Sequence, residues 1–268
     1  MGARLVLLLI VALAGAVRAD EPPRRIVSAN LCADRLVAAL ADQDRILSFS
    51  YYAADPAMSD LADRAAALPL NHGGAEEIAA LHPDLVIFGS HTGRAAADML
   101  KGLGIPVYFL PVPQSLEQLR QTIRELAARL GVPERGERLI ARIDQGLAGL
   151  DKPRRPVRAA IFTAGGWTHG ADSIDDDLLR RLGARNIAAE AGIVGVGSLP
   201  LERLVAADPQ VIIIETITGS EPSLAAQLLD HPALAHGGAR RVELPMKLWQ
   251  CADGALVEAA QRIAEALR

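Results

Sequence analysis

Short runs of β-branched and aliphatic residues alternate along the chain with longer Ala/Leu/Arg-rich stretches whose apolar positions recur every three or four residues. The short runs are Arg25-Ile26-Val27-Ser28, Ile46-Leu47-Ser48-Phe49, Leu85-Val86-Ile87-Phe88, Pro106 to Leu110, Arg158 to Phe162, Val211 to Ile214 and Arg241 to Leu244. Continuous apolar runs, as opposed to alternating ones, predict parallel strands covered on both faces. The expected fold class is therefore α/β. Midway, Leu116, Leu119, Ile123, Leu126 and Leu130 mark a helix from Ser115 to Leu130 that Gly131 stops. A second helix is expected from Pro133 to about Leu150, with Leu139, Ile140, Ile143 and Leu147 on one face. The stretch Asp151-Lys152-Pro153-Arg154-Arg155-Pro156 then interrupts the pattern.

The hydropathy pattern also repeats. Glu76-Glu77-Ile78-Ala79-Ala80-Leu81-His82-Pro83-Asp84-Leu85-Val86-Ile87 is echoed, 126 residues later, by Glu202-Arg203-Leu204-Val205-Ala206-Ala207-Asp208-Pro209-Gln210-Val211-Ile212-Ile213. Each segment reads helix, proline-marked turn, buried strand, with a Glu seven residues before the Pro. The echo falls on either side of the central helical segment, so two similar lobes joined by helix is the economical reading. The expected organisation is residues 20–113 as an N-terminal α/β lobe, 114–152 as linker helices and 153–268 as a C-terminal α/β lobe, each lobe with a mainly parallel central sheet flanked by helices.

The N-terminus changes where this chain is expected to work. Arg4, the apolar stretch Leu5 to Val17 and the small Ala19 before Asp20 read as a secretory signal peptide over residues 1–19. The run is too short for a membrane span of about 20 residues. A soluble, monomeric, exported protein in the periplasm is expected, and loss of Arg4 and Arg18 would take its net charge from −4 to −6. With no basic block, a nucleic-acid surface is not expected. Cys32 and Cys251 are the only cysteines. In an oxidising compartment they are either bridged, closing a loop that in the chain-entropy model stabilises by roughly 4–5 kcal/mol, or two buried thiols.

Candidate chemistry follows from topology. Ligands of open parallel sheets bind beyond the carboxyl ends of the strands. The segments just past the predicted strands carry Asn30, Tyr51, Tyr52, His72, His91, Trp167, His169, Glu215 and Trp249. Aromatic residues are only 3% of the chain, yet four of its five Tyr and Trp fall in these segments, where rings can stack on a large, partly apolar ligand. An alternative use of His72, His91, His169 and Glu215 is to hold a free transition-metal ion such as zinc or manganese. Asp175-Asp176-Asp177 reads as the first turn of a helix, where carboxylates complement the dipole, and Gly192 to Gly197 reads as a loop. No nucleophile elbow, Walker loop or His-Glu-x-x-His motif is present, so no enzyme activity and no resident cofactor are expected, a secreted enzyme of similar fold being the remote alternative. Glu76 and Glu202 stand near two helix starts as matched acidic knobs, suited to paired arginines on a symmetric partner.

Taken with Leu103-Gly104-Ile105-Pro106-Val107, Thr168 to Ser173, Leu182 to Asn186 and Leu201 to Pro209, this pattern resembles the periplasmic binding proteins of ABC importers for cobalamin, iron-siderophores and haem. The resemblance covers the whole chain after residue 19. It implies a rigid bilobal receptor that captures a metal chelate and delivers it to a permease dimer served by ATPase subunits. By resemblance, Glu76 and Glu202 would dock on permease arginines, and Tyr51 or Tyr52, Trp167 and Trp249 would be cleft aromatics. Two departures stand out: Leu70 lies near where a cobalamin binder carries a Trp, and no arginine cluster is evident for an anionic siderophore.

Overall fold

A computed structural model describes residues 21–216, 224–236 and 238–268. The export segment expected at residues 1–19 lies outside them. Eleven strands are described: β1 Ile26–Ser28, β2 Ile46–Ser50, β3 Leu70–Asn71, β4 Leu85–Gly89, β5 Val107–Leu110, β6 Val157–Phe162, β7 Trp167–His169, β8 Ala184–Asn186, β9 Val196–Ser198, β10 Val211–Thr216 and β11 Arg240–Pro245. They form a parallel five-stranded sheet of order β3-β2-β1-β4-β5, a parallel four-stranded sheet of order β11-β10-β6-β8, and an antiparallel ribbon of β7 and β9. Read from the other edge, β8-β6-β10-β11 repeats β2-β1-β4-β5. Five of the seven apolar runs found in sequence are inner strands of these sheets, and β4 and most of β10 are buried on both faces as their lack of alternation predicts; the other two, β5 and β11, are edge strands and only partly buried.

The internal echo is carried into the backbone. His82 and Asp208, each just before its proline, both take positive φ, 48° and 47°. This region is sparsely populated for side chains with a Cβ. Two residues further on, the Asp84 N–H donates to the Arg25 carbonyl and the Gln210 N–H to the Arg158 carbonyl, each at 2.9 Å. The turn therefore delivers β4 beside β1 and β10 beside β6 in the same way.

Both linker helices are present, at Leu116–Arg129 and Pro133–Ala148. They fold back on each other as an antiparallel hairpin. Gly136 allows a close approach: a Cβ there would lie 2.6 Å from the Ala127 Cβ. Arg120 with Asp144 and Arg124 with Glu137 bridge the hairpin's outer face. Each helix touches both lobes. The first begins against the C-terminal lobe, where the Leu116 N–H donates to Asp177, and ends near Arg45, which donates to the Leu130 carbonyl. The second begins with Arg135 on the Leu40 carbonyl and ends where Gly146 meets Val257. One continuous hydrophobic cluster accordingly runs from Ile26, Ile46 and Leu85 through Leu119 and Ile140 to Ile161, Val211 and Ile263. Smaller clusters fill the opposite face of each sheet, around Phe88 in the N-terminal lobe and Phe162 in the C-terminal lobe.

Cys32 and Cys251 are bridged, with their Cα atoms 5.2 Å apart. The bond ties the Leu31–Leu40 helix of the first lobe to the segment after the Met246–Trp249 helix of the second.

Candidate functional site

In the first lobe, the chain leaves β2 through a 3-10 turn, Tyr51–Ala54, that lifts two tyrosines onto the surface. Tyr51 and Tyr52 are 41% and 40% exposed, their ring centroids 3.9 Å apart. The Tyr51 ring also stacks on His72, at 4.9 Å and 19° between planes. His72 follows β3 directly and is held by Glu77. The His72 and Gly74 N–H groups donate to Glu77 Oε1 at 2.7 and 2.8 Å, and His72 Nδ1 lies 3.7 Å from Oε2. Burial alone would raise the Glu77 carboxyl, but these N–H donors and the imidazole outweigh it and hold the group below its usual value. One residue before Tyr51, Ser50 donates both its N–H and its hydroxyl to the buried Asp34. Burial without a cation beside it pushes Asp34 up to about 7, against the lowering effect of the Ser28 and Ser50 hydrogen bonds.

The second lobe presents a different face. Past β6 the chain makes a short excursion, β7, that pairs with β9. Trp167, 51% exposed, lies opposite Ser198, and His169 opposite Val196. Alternation places Trp167 and His169 on one face of the ribbon, while Thr168, on the other, is buried and donates to the Ile161 carbonyl at 2.6 Å. The excursion ends at Gly170, where a Cβ would fall 2.0 Å from the Ile193 carbonyl oxygen, so only glycine admits this close approach. His169 Nδ1 is hydrogen-bonded to Asp175, at the start of the helix Ile174–Arg181. Burial opposes charging the ring, yet the Asp175 hydrogen bond and the charges of Asp175 and Glu215 raise its pKa above the ordinary value. Burial also raises Glu215, against the attraction of His169. Asp175 Oδ1 is buried with no hydrogen-bond partner among the described residues.

Several expected site residues are elsewhere. Trp249 is not a cleft ring: it is 4% exposed and belongs to the main core. Asn30 caps the Leu31–Leu40 helix, its side-chain oxygen accepting from the Cys32 and Ala33 N–H groups, so that oxygen is committed to structure. His91 is exposed in the turn after β4. The four-residue metal set also fails: among the described residues no three His, Cys, Asp or Glu side chains stand close enough to share an ion. His169 is instead engaged with Asp175, a partner that sequence reasoning assigned only to a helix start. The Gly192–Gly197 segment, expected as a loop, contributes β9 from Val196 onward and an isolated bridge between Ala171 and Val194. Glu76 and Glu202 are both exposed, each in the first turn of its helix, Ala75–Ala79 and Leu201–Ala206. A concavity of about 940 Å3 lies away from the strand ends, on the flank between the lobes, where Arg35, Asp60, Arg64, Lys247, Asp253 and Glu258 line a groove.

Two parallel sheets of matching order, a helical hairpin welded to both and aromatic side chains at the carboxyl ends describe a bilobal receptor architecture. The sequence profile of the periplasmic binding proteins matches residues 26–241. The chain belongs to this family. Among solved structures, the periplasmic haem-binding protein RhuT from Roseiflexus sp. RS-1 superposes with a TM-score of 0.75 at 26% identity, covering 91% of this chain and 97% of its own. A periplasmic haem-binding protein from Pseudomonas aeruginosa gives 0.71 at 26%, covering 91% and 92%. The vitamin B12 binding protein BtuF of Vibrio cholerae shares the fold, at 0.67 and 19%, covering 92% and 97%. No curated protein matches the chain in sequence. Periplasmic binding proteins work in transport, and the α/β architecture expected from the hydropathy pattern is the one found.

Proposed function

We propose that this periplasmic binding protein captures an iron-porphyrin-like metal chelate between its two strand-end faces and delivers it to an ABC permease. The observation that carries the reading is the exposed Tyr51–Tyr52 pair with Tyr51 stacked on His72. Exposed rings offer flat apolar area to a macrocycle, and a phenol oxygen or imidazole nitrogen offers a ligand to its iron. In the free protein the Tyr51 hydroxyl, hydrogen-bonded with Tyr52, is held above its ordinary pKa, and a ferric ion would reverse that preference. Haem-binding neighbours at 26% identity point the same way. Trp167, with His169 behind it, supplies the opposing wall. Glu76 and Glu202 are the permease contacts, the first 19 residues are the removed export signal, and the mature chain acts as a monomer that binds without converting its ligand.

The test is incubation of mature protein with hemin, cyanocobalamin or a ferric hydroxamate, followed by gel filtration and visible absorbance. Co-elution of hemin with a shifted Soret band, lost in Tyr51→Phe/Tyr52→Phe, is expected. Binding of cyanocobalamin or the hydroxamate in place of hemin overturns the porphyrin assignment, and binding of none overturns the chelate reading.

A further inference from the structure

The two lobes are tied at two places of different kinds. One is the helical hairpin with its shared core. The other is a compact clasp at the start of the Leu31–Leu40 helix. One turn after Cys32, Arg35 makes a two-pronged ion pair with Asp253, two residues after Cys251; Arg35 Nη2 lies 3.2 Å from Asp253 Oδ1, and Nε bonds Oδ2. Both side chains are buried, at 7% and 5% exposure, and Arg35 Nη1 reaches Asp60 at 2.9 Å. Asp253 is fixed in turn by accepting the Ala255 N–H at 2.8 Å, which anchors it to the start of the Leu256–Leu267 helix. Beside this clasp the lobes part. The groove of about 940 Å3 runs between the Leu31–Leu40 helix and the C-terminal helix, with Arg35 and Asp253 in its wall. On that flank the disulfide and ion pair stand at the edge of an open groove whose floor includes the core side chains Leu36, Leu139 and Leu248.

We propose that the Cys32–Cys251 and Arg35–Asp253 clasp sets the separation of the two lobes, so that the ligand faces are held ready only while the disulfide is intact. Cys32 lies two residues past the Asn30 cap that follows β1, and Cys251 six residues past the end of β11. The bridge thus crosses between strands at their carboxyl ends, the level at which Tyr51 and Trp167 are displayed. Without it the hairpin and the core it shares with both lobes are what joins them, and the groove gives the second lobe room to rotate. The affinity consequence rests on the proposed ligand reading; the consequence for lobe separation does not.

The test uses mature protein carrying Glu76→Cys and Glu202→Cys, spin-labelled through maleimide thioethers that dithiothreitol does not cleave, with the native pair oxidised, and the same labels in Cys32→Ser/Cys251→Ser. The expected result is a roughly twofold broader inter-label distance distribution in the serine variant. A fall of the competent population to about a tenth raises the hemin dissociation constant about tenfold. Should the serine variant fail to fold, dithiothreitol added to the folded, labelled protein gives the same comparison: its two thiols close to a cyclic disulfide and leave Cys32 and Cys251 as thiols. Superimposable distributions for bridged and unbridged protein overturn the clasp. Broadening in a protein that binds no hemin upholds the clasp and overturns the ligand reading instead.

Discussion

The two lobes share a scaffold, and the junction after the first strand of each shows how they differ. In the first lobe β1 passes straight into its helix through Ala29 and the Asn30 cap. In the second, the equivalent β6 is followed by eleven residues before the Ser173-capped helix begins at Ile174. That insertion builds β7, carries Trp167 and His169, and recruits Asp175 from the helix start. The first lobe obtains its rings elsewhere, from the 3-10 turn after β2. What is repeated therefore positions sheets and the two exposed Glu side chains, while what is not repeated makes each face chemically distinct: two phenols and an exposed imidazole beside Glu77 on one side, an indole and a largely buried imidazole bonded to Asp175 on the other.

The comparison is broken most sharply by charge reversal. Glu76→Arg/Glu202→Arg is expected to abolish ligand uptake in cells while leaving hemin affinity unchanged, each single variant giving a partial loss; a silent single variant would mean the matched knobs are not used alike. Next comes the asymmetry of the faces. Tyr51→Ala/Tyr52→Ala should weaken hemin binding by about 100-fold and Trp167→Ala by about 10-fold, taking roughly 1–3 kcal/mol per stacked ring or lost ligand, as read by absorbance titration. Equal losses would show that the faces contribute alike.

Two buried titratable groups, one in each lobe, give smaller effects in adjoining pH windows. Asp34 binds its proton more tightly folded than unfolded, so stability falls as pH rises from about 4 to about 7. Asp34→Asn should raise the melting midpoint at pH 8 by roughly 3–6 °C and leave it unchanged near pH 4, by calorimetry. His169, raised above its ordinary value by Asp175 despite burial, stabilises fully below the unfolded value of 6.5, and that contribution is lost as pH rises through the folded one. His169→Gln should remove the upper slope and leave the lower one, a shift of about 1–2 °C at pH 6. If Asp34→Asn also flattens the upper window, the two lobes are not titrating independently.

Much of the scaffold was legible because buried parallel strands announce themselves as unbroken apolar runs and the hairpin helices keep a strict periodicity. The short pieces were not. β3, with two residues, and β7, β8 and β9, with three each, are too brief to show a period, and they exist because neighbouring strands or a close Gly170–Ile193 approach hold them. Position after a strand end anticipated that the rings of Tyr51, Tyr52 and Trp167 are exposed, but not that Trp249 is drawn inward by the packing of the main core. Likewise the two cysteines could be paired by count, whereas Arg35 and Asp253, 218 residues apart, carry no local mark of their bond.

The left-handed residues at His82 and Asp208 have a metrological consequence. A pre-proline residue locked at positive φ cannot be slipped by one position without moving every side chain of β4 or β10 to the opposite face of its sheet. Each turn thereby acts as a datum from which the helix behind it is measured, and Glu76 and Glu202 both stand six residues back from that datum. The two lobes can diverge freely in their rings and pockets while these two charges keep the same offset from their turns, each in the first turn of its helix.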